Sequence, residues 1–80
     1  MKLEIITPEK NVFSGDVDVV TLPGVNGQFQ LLDNHAPMVS TLKNGDLTYE
    51  ISGKKESLLV DGGVVQVLNN KVLVLAEGIV

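Results

Sequence analysis

A chain of 80 residues and 8.6 kDa, with net charge −4 and pI near 4.6, has room for one domain, residues 1–80, and no more. All six basic residues are lysines, there is no cysteine, and the one histidine is His35; this sets aside nucleic-acid binding, disulfides and thiolate or His-rich metal sites. A chain this short buries only about 60–65% of its unfolded surface, which leaves a partner protein as the remaining source of added stability.

Valine occurs thirteen times and alanine only at positions 36 and 76, a balance that suits pleated strands over helices. Leu3–Thr7 reads as a first strand, ended by Pro8, which cannot donate to a ladder. Asn11–Phe13 is a short second piece before a turn at Ser14-Gly15. Asp16–Leu22 follows, with Val17 and Val19 alternating against Asp16 and Asp18. Pro23-Gly24 and Asn26-Gly27 frame a turn. Gln28–Leu32 and Met38–Leu42 are the next strands. Asn44-Gly45 turns into Asp46–Ser52, where Leu47, Tyr49 and Ile51 alternate against Thr48, Glu50 and Ser52. Ser52-Gly53-Lys54-Lys55 is a hairpin tip. Ser57–Val60, Val64–Leu68 and Lys71–Ala76 complete the set, the last two joined by a tight Asn69-Asn70 turn, since asparagine tolerates the left-handed conformation. About nine or ten short strands at this spacing predict an all-β fold, a two-layer antiparallel β-sandwich. There is no apolar run of about 18 residues to span a membrane, and the N-terminus lacks the apolar stretch of a secretory signal. The expectation is a soluble protein of a reducing compartment.

The segment from Gly24 to Val39 is the richest in chemistry. An enzyme would use His35 as base, Asp33 as its orienter and Ser40 as nucleophile, but the spacing matches no nucleophile elbow, so no catalytic residue is assigned. His35, directly before Ala36-Pro37, suits a loop-shaping role, with Pro37 pushing Ala36 to extended geometry. Gly62-Gly63, between two apolar strands, suggests a bulge or the close approach of another backbone. No phosphate-cradling lysine or helix follows it, and no cofactor or metal is expected. An alternative from another class is a carrier domain that presents a biotinyl- or lipoyl-type modified lysine on the Lys54-Lys55 tip; the doubled lysine and Glu56 suit a solvated hairpin end better.

Four stretches together give a family resemblance. They are Leu3-Glu4-Ile5-Ile6-Thr7-Pro8-Glu9-Lys10 running into Val12-Phe13-Ser14-Gly15; Val19-Val20-Thr21-Leu22-Pro23-Gly24 leading to Gly27-Gln28-Phe29; Asn34-His35-Ala36-Pro37-Met38-Val39; and Gly62-Gly63-Val64-Val65-Gln66-Val67 with Asn70-Lys71-Val72 and Val74-Leu75-Ala76. In this order and spacing the chain resembles the N-terminal domain of the epsilon subunit of F-type ATP synthases. The resemblance implies a non-catalytic rotor component of a proton-translocating ATP synthase. Its partners would be the gamma subunit and the membrane-embedded c-ring, with no small-molecule substrate. It would sit at the cytoplasmic face of the bacterial plasma membrane, peripheral and not inserted. Contact with the ring is implied for Asn26, Gly27, Gln28, Phe29 and Gln30, and for Asp33, Asn34, His35 and the adjoining Ala36-Pro37. Pro37, Gly62 and Gly63 are expected to shape turns or a bulge.

Two departures from the family pattern matter. Gln28 stands where the family often has glutamate, and Gln30 where it often has glycine, so neutral hydrogen bonds would replace charge-assisted ones of about twice the strength. Asp33 is the nearby candidate to supply that charge. Many members continue into a C-terminal helical hairpin, which this chain is expected to lack; neither hairpin inhibition nor nucleotide binding is assigned to it. Torque transmission would also need a stiff, close-packed body with two docking faces, the shaft-facing one more apolar.

Overall fold

The computed structural model describes residues 1–80 and is built of nine strands. They are β1 (Lys2–Ile6), β2 (Asn11–Asp16), β3 (Val19–Gly24), β4 (Gly27–Leu31), β5 (Met38–Leu42), β6 (Gly45–Ile51), β7 (Lys54–Val60), β8 (Gly63–Leu68) and β9 (Lys71–Ala76). The sheet order is β2-β1-β9-β8-β5-β3-β6-β7, with β4 paired to β3 alone. Val20 and Thr21 each pair with both β4 and β6, so β4 occupies the flank of β3 opposite β6.

The sheet curls at β3, which changes partner along its length. Val19–Thr21 pair with β6, whereas Gly24 pairs with Leu42 of β5. The result is a five-stranded layer (β2, β1, β9, β8, β5) facing a four-stranded one (β4, β3, β6, β7). Only glycine fits the corner: a Cβ on Gly24 would lie 2.7 Å from the Gly27 carbonyl oxygen and 2.9 Å from the Phe29 ring.

Side chains alternate between the two faces of a strand, and the inward set makes one core. Leu3, Ile5, Val65, Val72 and Val74 come from the first layer and Val20, Leu22, Leu31 and Leu47 from the second, all essentially inaccessible to solvent. Phe13 of β2 and Tyr49 of β6 join the layers through rings 4.4 Å apart. Burial pushes the Tyr49 phenol above its ordinary value, and the Glu56 carboxylate adds to the shift.

The fold is all-β, as the strand pattern predicts, with instructive differences in detail. Ser14-Gly15 is not a turn. β2 continues through it because Leu3 and Glu4 pair with Gly15 and Ser14, so the ladder overrides local turn chemistry, and the chain crosses to the other layer at Val17-Asp18, where the Val17 N–H bonds the Met1 carbonyl and the Asp18 N–H the Glu50 carbonyl. The β6–β7 tip is only Ser52-Gly53, because Ile51 pairs with Lys54 and Glu50 with Lys55; next to the tip, Ile51 is exposed despite its place in the alternation. One pair is parallel, β1 with β9, in a sheet that is otherwise antiparallel. Asn69 and Asn70 take the positive φ values of 52° and 59° that a two-residue hairpin turn requires.

Candidate functional site

The residues expected to meet a ring lie on β4 and at its two ends. At one end, Val25-Asn26 closes the β3–β4 hairpin and Gly24 faces Gly27. Along β4, Gln28 and Gln30 are exposed, Phe29 packs half-buried against the core and Leu31 is fully buried. At the other end lies the loop of residues 32–37, which holds Asp33, Asn34, His35 and Pro37, all exposed. A strand rises about 3.3 Å per residue, so Gly27 and Leu31 stand about 13 Å apart. The expected residues therefore form a strip along one edge of the fold. Asn26 and His35 are at opposite ends of it.

The loop is fixed to the body from two sides. The amino terminus of Met1 donates to the Val17 carbonyl at 3.0 Å and to Asp33 Oδ1 at 2.6 Å. Asn34, at φ 63°, donates its N–H to Asn70 Oδ1 at 2.7 Å. The first turn of β8–β9 and the start of β1 thus hold the loop, and Lys2 N–H also bonds the Asn70 carbonyl. The Asp33 carboxylate already faces an ammonium group, so its charge is balanced within the chain. Its ring-contact role would have to use the remaining oxygen.

His35 Nδ1 lies 2.8 Å from the Ala36 carbonyl oxygen. A carbonyl only accepts, so Nδ1 carries a proton in this contact, and Nε2 is left to meet a group outside the loop. Asp33 and His35 therefore bond to different groups, and Ser40 sits on β5 opposite Val65. The three do not form a hydrogen-bonded relay. No group of three or more His, Asp or Glu converges closely enough to hold a metal ion. Lys54 and Lys55 are ladder residues of β7 opposite Ile51 and Glu50, not a lone lysine at a loop apex. Gly63, at φ 136°, meets the neighbouring strand so closely that a Cβ would lie 2.3 Å from the Leu75 carbonyl oxygen.

A second feature was not singled out in the sequence. The outward face of the five-stranded layer carries Ile6, Val39, Val64, Leu73 and Leu75. The register sets Val64 beside Leu75 and Leu75 beside Ile6. Val39 is 71% exposed and Leu75 48%, so apolar surface here is open to solvent. The signal is present in Val72-Leu73-Val74-Leu75-Ala76: a run of five strand residues with no polar one is the pattern of a strand covered on both faces. Glu4 and Lys71 rim this face with a 2.9 Å ion pair. The hydrogen bond from Lys71, reinforced by its charge, holds the Glu4 carboxyl below its ordinary value.

Comparison with known proteins gives the family of the chain. The family model described as ATP synthase, Delta/Epsilon chain, beta-sandwich domain matches residues 1–80. An ATP synthase epsilon chain of Dehalococcoides mccartyi is 43% identical over 77 residues, covering 96% of this chain and 55% of its own length. That of a Nitratiruptor species is 47% identical over 81 residues, covering 100% and 63% respectively. The chain thus spans somewhat more than half the length of these relatives. Among solved structures, a chain of the Euglena gracilis mitochondrial ATP synthase, imaged with OSCP, F1 and c-ring, superposes with a TM-score of 0.91 at 23% identity, covering 98% of this chain and 51% of its own; this likeness is one of fold. The chain belongs to the ATP synthase delta/epsilon chain beta-sandwich domain family.

Proposed function

We propose that this domain is a non-catalytic coupling module of the central stalk of a proton-translocating F-type ATP synthase. It is clamped to the gamma subunit by the apolar outward face of β5, β8, β9 and β1, and it meets the polar loops of the c-ring through Gln28 and the 32–37 loop. Rotation of the ring then reaches the shaft through a stiff paired-strand body. In this role the chain lies at the cytoplasmic face of the bacterial plasma membrane, attached through the complex. It needs no cofactor of its own.

The observation that carries this reading is the solvent-open apolar face around Val39, Val64 and Leu75, on a chain of this family. Lasting interfaces resemble a core cut in half, and exposed apolar surface on a small domain marks such a contact. The names of the structural neighbours point the same way: one is a central stalk and c-ring structure of the Tetrahymena thermophila mitochondrial ATP synthase, similar in fold at TM-score 0.85.

Calorimetric titration of purified gamma subunit with the chain tests the clamp. Saturable binding at micromolar concentration is expected, and no heat of binding sinks the proposal. Replacing Gln28 and His35 together with alanine tests the ring contact. Proton pumping per ATP should fall while the thermal unfolding of the domain is unchanged. Full pumping in the double variant removes these residues from the ring interface.

A further inference from the structure

Three strands of the sheet pair along one flank only, β2, β4 and β7. Open flanks invite pairing with other chains, and proteins usually guard them with lysine, proline, bulges or cover. β2 faces a register shift at Ile5/Ile6. β7 opens on Lys54 and Lys55, and its far end is covered by a bridge from Val60 to Ile79 and by the Val80 N–H bonded to the Leu59 carbonyl. β4 has none of these devices. From Val25 to Leu32 the chain has no charge and no proline.

The phase of the β3–β4 ladder fixes which backbone groups face outward. In an antiparallel pair, alternate residues bond to the partner while those between point away. Pro23 has no N–H, and its carbonyl accepts from Lys43 on the flank of β3 away from β4, at 2.9 Å. Pro23 is therefore at a non-bonded site, and so is Gln28 opposite it. Gln30, two residues on and opposite Thr21, shares the same phase. The N–H and C=O groups of Gln28 and Gln30 all point to the open flank.

We infer that β4 receives an added strand, an extended segment of a neighbouring polypeptide in the same assembly. This deepens the coupling role above and rests on it. The recognition is by backbone hydrogen bonds, which need no charge on either side. It thus suits a strip in which glutamine stands in place of a carboxylate and Asp33 is balanced by the amino terminus. A second copy of this chain is the weaker occupant. Two five-residue flanks cannot approach the roughly 1,200 Å² that a stable interface buries, whereas a neighbour already held by the apolar face needs only a modest second contact.

The test uses the chain assembled with gamma subunit and c-ring. Amide exchange at Gln28 and Gln30 should slow at least about tenfold on assembly, as expected for new backbone hydrogen bonds. Gln30→Pro removes an N–H that β3 does not use, so the fold should survive and affinity should drop about tenfold; Gln30→Ala, which keeps that N–H and loses only the side chain, should cost clearly less. Equal exchange rates free and assembled overturn the added strand, as does a loss with Gln30→Ala that matches Gln30→Pro. If circular dichroism shows the proline variant unfolded, the exchange comparison on the unaltered chain decides. Slowing in the isolated chain, together with a dimer in sedimentation, assigns the flank to a second copy and overturns the proposal. A chain that enters no assembly overturns the coupling role itself, a result distinct from one that enters with both amides still exchanging freely.

Discussion

On the five-stranded layer, the outward row Thr41–Val64–Leu75–Ile6–Asn11 is apolar at its three central residues. On the four-stranded layer, the outward row Gln30–Thr21–Thr48–Ser57 is wholly polar, and Thr48 and Ser57 bond to each other through their hydroxyls at 3.2 Å. Both rows cover the same core with the same strand geometry. The polar row shows that this geometry does not require an apolar exterior. The apolar row is thus the part of the exterior that the proposed clamp on the gamma subunit would cover.

That contrast can be broken in several ways, and Gly63→Ala is the harshest. The new methyl would strike the β9 backbone beneath the apolar row, at a φ that side chains avoid. A loss of about 2–4 kcal/mol in denaturant unfolding is expected, and a loss below about 0.5 kcal/mol would mean that the strands separate easily there. Leu75→Asp sharpens the contrast. It should weaken gamma binding by about 2–3 kcal/mol, as for a central interface residue, and alter stability far less because Leu75 is already half-exposed. Unchanged affinity would assign the apolar row to some other contact. Thr48→Val on the opposite face should change stability by no more than about 0.5 kcal/mol and leave gamma binding untouched in the same titration.

The gentlest change concerns the rim. The Glu4 carboxyl is lowered in the folded chain, so the Glu4–Lys71 pair contributes stability that is present above the ordinary glutamate value. The contribution is lost as pH falls through the lowered value. Glu4→Gln should therefore lower neutral stability by this small contribution, leave stability in acid unchanged, and so flatten the acid limb of a stability–pH curve. A steeper acid limb in the variant would contradict the direction of the shift.

Much of the fold was legible because turns are local. Asn69-Asn70 and Ser52-Gly53 appear where asparagine and glycine permit positive φ, and the strands between them follow from alternation and β-branching. Pairings that join distant residues were not legible. Nothing near Ser14-Gly15 reveals that Leu3 and Glu4 hold it extended. The loop from Asp33 to His35 stood out in the sequence, but its attachment to Met1 and Asn70 joins residues more than thirty positions apart. The apolar outer row was hidden for a different reason: Val64 and Leu75 look like core residues until the register shows them facing outward.

The parallel pairing of β1 with β9 has a consequence for biosynthesis. Leu3 and Ile5 leave the ribosome more than sixty residues before Val72 and Val74, their partners in the strand that covers one flank of β1. Until then the opening hairpin is an unsupported two-stranded ribbon, which is marginal in water. Maturation is consequently a single late closure, and nascent chains should resist proteolysis only after Ala76 has emerged from the exit tunnel; earlier resistance in arrested chains would show that the ribbon stands alone.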